Sequence, residues 1–156
     1  LDACHVQIAA HLDRLDALMD RYDRHGADAQ AQAEARAIEA FFSSTSREHH
    51  HEEERRVFPD LLNSGDAELA ATVQVLQQDH GWIEEDWLEL APRLRAVAGG
   101  QTDVDPAELR HAASVFTELC REHIELEESL VYPEAKARIS RSTRGIDMRR
   151  ERNAAG

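Results

Sequence analysis

Two stretches of the chain repeat one arrangement of residues able to hold a metal ion. Arg47-Glu48-His49-His50-His51-Glu52-Glu53-Glu54-Arg55-Arg56-Val57-Phe58-Pro59 aligns without a gap on Arg121-Glu122-His123-Ile124-Glu125-Leu126-Glu127-Glu128-Ser129-Leu130-Val131-Tyr132-Pro133. The shared skeleton is R-E-H-x-x-x-E-E-x-x-V-aromatic-P. Residues four apart on an α-helix lie on one face, about 6 Å apart along the axis. Each copy therefore sets an imidazole beside a carboxylate, His49 with Glu53 and His123 with Glu127. Such nitrogen and oxygen donors suit iron, manganese or zinc. With no thiolate in the set, a structural zinc site of the cysteine type is disfavoured. The duplication points to two ions or one shared centre.

The elements that carry these residues read as helices. His5, Ile8, Leu12, Leu15, Met19 and Tyr22 form one amphipathic stripe, with the three- and four-residue steps of a helix. A second helix begins between Ala29 and Ala33, with a stripe of Ile38, Phe42, Thr45, His49, Glu53 and Arg56, and Pro59 is expected to end it. Asn63-Ser64-Gly65-Asp66 is a turn with helix-starting chemistry. The third stripe is Val73, Leu76, His80, Ile83, Trp87, Leu90 and Leu94, with Pro92 expected to kink or end the helix. Asp105-Pro106 starts a fourth helix, as an N-cap followed by proline at the first helical position. That helix carries Leu109, Ala113, Phe116, His123, Glu127 and Leu130, and a short fifth helix is expected over Glu134 to Ile139. His80 and its stripe repeat His5 and its stripe 75 residues on, while the His-x-x-x-Glu motifs repeat at 74. The expected fold is all-α: an antiparallel up-down four-helix bundle with an internal pseudo-twofold repeat. Residues 1–135 form this domain, and 136–156 a basic C-terminal tail, partly helical or disordered.

The stripes bring His5, His49, Glu53, His80, His123 and Glu127 to core positions. Buried charges without partners cost several kcal/mol each, on the order of a domain's net stability when summed. A lone histidine on an apolar face is most often a hydrogen-bonded core residue, but four of them, two with Glu at i+4, favour metal. Two imidazoles per ion, both carboxylates bridging and one solvent-derived oxo or hydroxo bridge would make each ion about five-coordinate, leaving a position for O2, peroxide or NO.

This ordered set, H…H-x-x-x-E…H…H-x-x-x-E with an aromatic-Pro pair closing the second and fourth helices, resembles the hemerythrin-like (HHE cation-binding) domain over about residues 2–135. The resemblance implies two non-haem iron ions, oxo- or hydroxo-bridged, with manganese or zinc as substitutes. It assigns His5 as the first-helix ligand, His49 and Glu53 as the second-helix pair, His80 as the third-helix ligand, and His123 and Glu127 as the fourth-helix pair. Oxygen-carrying hemerythrins add a histidine on the third helix, four residues from the first, and usually end the fourth-helix motif with Asp one residue later. Here Leu76 and Glu84 stand four residues either side of His80. That departure argues against pure O2 transport and for a site poorer in histidine and more open. Glu84 is a candidate extra ligand or outer carboxylate partner, the solvated side of its helix being its plain reading.

His50, His51, Glu52 and Glu54 flank the register and are expected to point sideways or outward. His50 and Glu54 are also four apart, but the Pro59/Pro133 and Phe42/Phe116 matches select His49 and Glu53. His11 lies about 240° around the helix from His5 and is not expected to join it. His25 and His111 read as surface residues, Cys4 and Cys120 as small buried fillers, and Trp82 and Trp87 as packing residues. A ferritin-like centre would need Glu-x-x-His on two helices, and only Glu48-x-x-His51 has that spacing.

A net charge of −13 disfavours a nucleic-acid partner, although seven basic residues against two acidic ones lie from Lys136 onward. Two cysteines make no disulfide framework. With no signal peptide or membrane-length apolar run, a cytoplasmic location without a membrane partner is expected. No Ser-His-Asp or Cys-His nucleophile and no glycine-rich phosphate loop is present. The expected function is a di-iron protein that handles or senses O2, peroxide, NO or iron, its partner a small diatomic or peroxide ligand. A peroxide-consuming, catalase- or peroxidase-like enzyme and a purely structural metal site are the alternatives.

Overall fold

A computed structural model of the chain describes residues 2–131, with side chains from 3 to 129. The expected helix over Glu134 to Ile139 and the basic tail lie outside the described residues. The described residues are helical, with short turns and no strand. Four helical arms carry the stripes. The first is α1 (Asp2–His25) and the third α5 (Ala67–Ala98). The second is assembled from α2 (Ala29–Ser43), α3 (Thr45–Glu52), a π-helical segment (Glu53–Val57) and α4 (Phe58–Leu62). The fourth is α6 (Pro106–Leu126), which runs into a π-helical segment, Glu127–Val131. α1 packs on α2 and α6, and α5 packs on the same two.

The arm starts follow from capping chemistry. Asp28, Asp66 and Asp105 each accept backbone N–H bonds from the first turn that follows them, at 2.9, 3.1 and 2.8 Å, which satisfies donors a helix end would otherwise leave unmet. Gly26, Gly65 and Gly100 take positive φ in the turns, a conformation costly for residues with a Cβ.

The second arm departs from its expected stripe. It breaks at Ser44, and Ser46 rather than Thr45 turns inward. Arg56 faces solvent, its side chain 79% exposed and paired with Glu52, because the π-helical segment from Glu53 shifts the inward register to Phe58. Pro59 does not end the arm; it sits in the first turn of α4, where proline's missing N–H is harmless. Pro92 likewise neither ends nor interrupts α5. It lies on the exposed side, while Leu90, Ala91 and Leu94 are buried and hold the helix against the core. Trp82 is exposed rather than packed, whereas Trp87 is buried against Phe42 and Phe116 at centroid distances of 5.4 and 5.2 Å.

The core is split into two apolar parts. The larger runs through Ile8, Leu12, Ile38, Phe42, Trp87 and Phe116; the smaller contains Phe58, Leu61, Leu69, Val73 and Leu76. Along α5, His80 falls between Leu76 of one part and Ile83 of the other, and along the second arm His49 and Glu53 fall between Phe42 and Phe58. The polar residues thus form a layer across the bundle. No helix among the described residues is long and apolar enough to cross a membrane.

Candidate metal centre

His5, His49, Glu53, His80, His123 and Glu127 are all buried, and both carboxylates are fully enclosed. Their donor atoms fall into two groups, within each of which every donor lies no more than 4.8 Å from the others. One group is His5, His49, Glu53 and Glu127; the other is His50, Glu53, His80 and His123. Glu53 belongs to both. Glu127 Oε1 also approaches the second group, 2.7 Å from His123 Nε2 and 3.9 Å from His80 Nε2.

The fifth imidazole, His50, corrects the expectation that it would point outward. Its ring stacks on that of His80 at 4.1 Å and meets His123 at 5.9 Å. A single stripe at helical spacing admits only one of two adjacent residues, which is why the repeat selected His49. A centre wide enough for two donor groups spans a larger angle. His49 and His50 lie four and three residues before Glu53, so both are its neighbours on the helix surface, and they diverge to opposite groups. At the corresponding place in the second motif stands Ile124, so the two groups differ. The site is richer in histidine than expected. The adjacency of His50 to Glu53 at i+3 was the available signal.

Glu84 does not join either group. Its carboxylate is half-exposed and pairs with Arg47, whose Nε donates at 3.2 Å. His11 stacks on Phe41 at 3.8 Å, and His25, His51 and His111 are exposed. Cys120 is buried and lines the gap between the donors, and Cys4 is half-buried; burial raises the pKa of both thiols.

The geometry fits a cation. Two ligands at adjacent positions, each about 2.1 Å from one ion, lie about 3.0 Å apart. His5 Nε2 stands 3.0 Å from Glu127 Oε2, His49 Nε2 3.1 Å from Glu53 Oε1, and His80 Nε2 3.2 Å from His123 Nε2. His49 Nε2 and both Glu127 oxygens are buried with no hydrogen bond of acceptable geometry. A neutral imidazole carries one donor nitrogen and one lone pair. Where Nδ1 donates outward, Nε2 and the carboxylate present lone pairs to each other, and only a proton or a metal ion makes that favourable.

Burial and the neighbouring His80 drive the His50 imidazole down to about 2, so the ring is neutral at neutral pH, with one N–H and one nitrogen lone pair free to bind a cation. Burial opposes charge on His123 as well, but the nearby carboxylates of Asp79 and Glu127 outweigh it and raise the group to about 9. For Glu53, burial favours the acid, yet the close imidazoles of His49 and His80 hold its carboxyl well below the usual carboxylate range. The donors are thus ionised or neutral in the senses a metal requires, or exchange one proton for a metal ion.

A helical bundle whose polar core layer converges imidazole and carboxylate on shared donor groups defines a helical metal-binding domain. The chain matches the family model of the hemerythrin HHE cation-binding domain over residues 1–135 and belongs to that family. No curated protein and no solved structure gave a significant match.

Proposed function

We infer that this domain holds two iron ions in an antiparallel bundle of two related hairpins and reacts with a small ligand, O2, peroxide or NO. The observation that carries this reading is the pair of four-residue donor groups sharing Glu53. Contacts that run in opposite senses along α5 and α6, Asp79 with His123 and Arg93 with Glu108, support the antiparallel arrangement. Two irons held there would supply the redox equivalents for such a ligand; zinc in their place would supply none.

The chain's own residues favour reaction on one side. The His80 group gains a fifth donor in Glu127, while the His5 group has four. The His5/His49 side also abuts a surface cleft of about 730 Å³ in which Cys4, Thr45 and His49 take part. On the His50 side only a small gap remains, lined by Phe42, Trp87 and Phe116 together with Ser46 and Glu84, and Trp87 Nε1 donates to Ser43 Oγ at 3.3 Å. An exogenous ligand is therefore expected through the cleft, with the aromatic layer excluding water behind the centre.

Metal analysis with near-ultraviolet spectroscopy and ligand addition tests this reading. Close to two irons per chain and an oxo-bridge charge-transfer band support it. Rapid dismutation of added H2O2 would assign the peroxide-consuming activity, and reversible O2 or NO binding without turnover the carrier or sensor. Spectra indifferent to all of these ligands would leave a structural staple and sink the proposed reactivity.

A further inference from the structure

The repeated motif has a second acid directly after each shared carboxylate: Glu54 after Glu53, and Glu128 after Glu127. Unlike the first acids, both are exposed. Yet each reaches a histidine on another arm. Glu54 Oε1 lies 3.1 Å from His80 Nδ1, and Glu128 Oε1 lies 3.1 Å from His5 Nδ1. His5 and His80 are the two histidines related by the 75-residue offset, so the same bond is made twice. A third such contact joins Asp79 of α5 to Nδ1 of His123 on α6, at 3.2 Å. In all three the Nε2 atom of the same ring faces the donor groups.

We propose that Glu54, Glu128 and Asp79 are positioning residues of the metal centre, each fixing the ring orientation and tautomer of one ligand histidine. An ionised carboxylate only accepts, so it keeps the proton on Nδ1 and leaves the Nε2 lone pair for the metal. The bonds also cross between arms: second to third, fourth to first, and third to fourth. Each of these three rings is thus oriented by an arm other than its own, which couples closure of the bundle to assembly of the centre. The π-helical segments begin at Glu53 and Glu127, where the widened turn lets consecutive acids serve the interior and the neighbouring arm. The pattern stops at the fourth histidine. Seventy-five residues before Asp79 stands Cys4, which lines the cleft beside His49. One ring on the His5 side thus lacks the carboxylate its counterpart has.

This inference rests on the centre holding a metal pair. Its test uses the full chain loaded with 57Fe, comparing the parent with E54A, E54Q, E128A and, as a surface control, E118A. Readouts are iron lost to a chelator, Mössbauer spectra and the melting temperature of the metal-free protein. E54A and E128A are expected to weaken iron retention roughly 10–100-fold, the usual effect of removing an outer partner, and each to perturb a different iron signal. E54Q, whose amide oxygen can still accept, is expected to recover part of the loss, and E118A to match the parent. Parent-like retention and spectra in E54A and E128A would overturn the inference, as would losses that only follow a lower metal-free melting temperature. A parent chain that binds no iron would instead sink the metal reading itself.

Discussion

Stripping the metal should leave the fold close to the edge of its stability. Three buried atoms, His49 Nε2 and both Glu127 oxygens, make no hydrogen bond of acceptable geometry within the protein and so depend on a cation. An unsatisfied buried polar group costs about 1–3 kcal/mol, so these three together cost roughly 3–9 kcal/mol. The net stability of a domain is about 5–15 kcal/mol. For a chain of this size 1 kcal/mol shifts the melting temperature by about 2–4 °C, so metal removal is expected to lower it by roughly 6–36 °C. Calorimetry of the loaded and chelator-stripped protein, with metal added back to the stripped sample, checks both size and reversibility. Equal melting temperatures with and without metal would refute the reasoning. They would mean that the buried donors satisfy one another through protons alone.

Other outcomes follow from single residues. H50L removes the fifth imidazole and should weaken metal retention on the His80 side by at least the roughly 10–100-fold seen for outer partners, read by metal analysis after dialysis; full retention would return His50 to a packing role. F116A opens the aromatic layer made with Phe42 and Trp87, and should cost about 3–5 kcal/mol in denaturant melts. Glu34 accepts two bonds from Arg14, at 2.9 and 3.0 Å, and those bonds hold its carboxyl below the usual range. Its contribution is therefore present above the unfolded-state pKa and lost as pH falls through the folded one. Both side chains are a third or more exposed, so E34Q should remove about 0.5 kcal/mol at neutral pH and less in acid, measured by urea melts across that range.

The arms were legible wherever packing obeys one helical period. Every residue of the α1 stripe from His5 to Tyr22 is buried, and Asp105 caps α6 where Asp-Pro announced it. Burial of six polar residues along apolar stripes was also readable, because each replaces a core side chain in register. What failed was the assumption that the period persists through the motif. The break at Ser44 and the π-helical turns at Glu53 and Glu127 carry no strong local residue signal; they arise where the arms must aim several donors at one layer. Those irregularities explain why Ser46 replaces Thr45, why Arg56 leaves the core and why His50 enters the site. Glu84 keeps its plain reading as a residue on the solvated side of its helix. Its spacing from His80 is correct for a helix face, but Arg47 is near enough to claim it.

The most direct test is the anomalous difference map of a crystal of iron-loaded protein, collected at the iron edge. The account predicts two peaks per chain, about 3.5–4 Å apart as in paired-metal sites, one against His5 and His49, the other against His50, His80 and His123, with Glu53 between them. A single peak, or peaks away from Glu53, would contradict it.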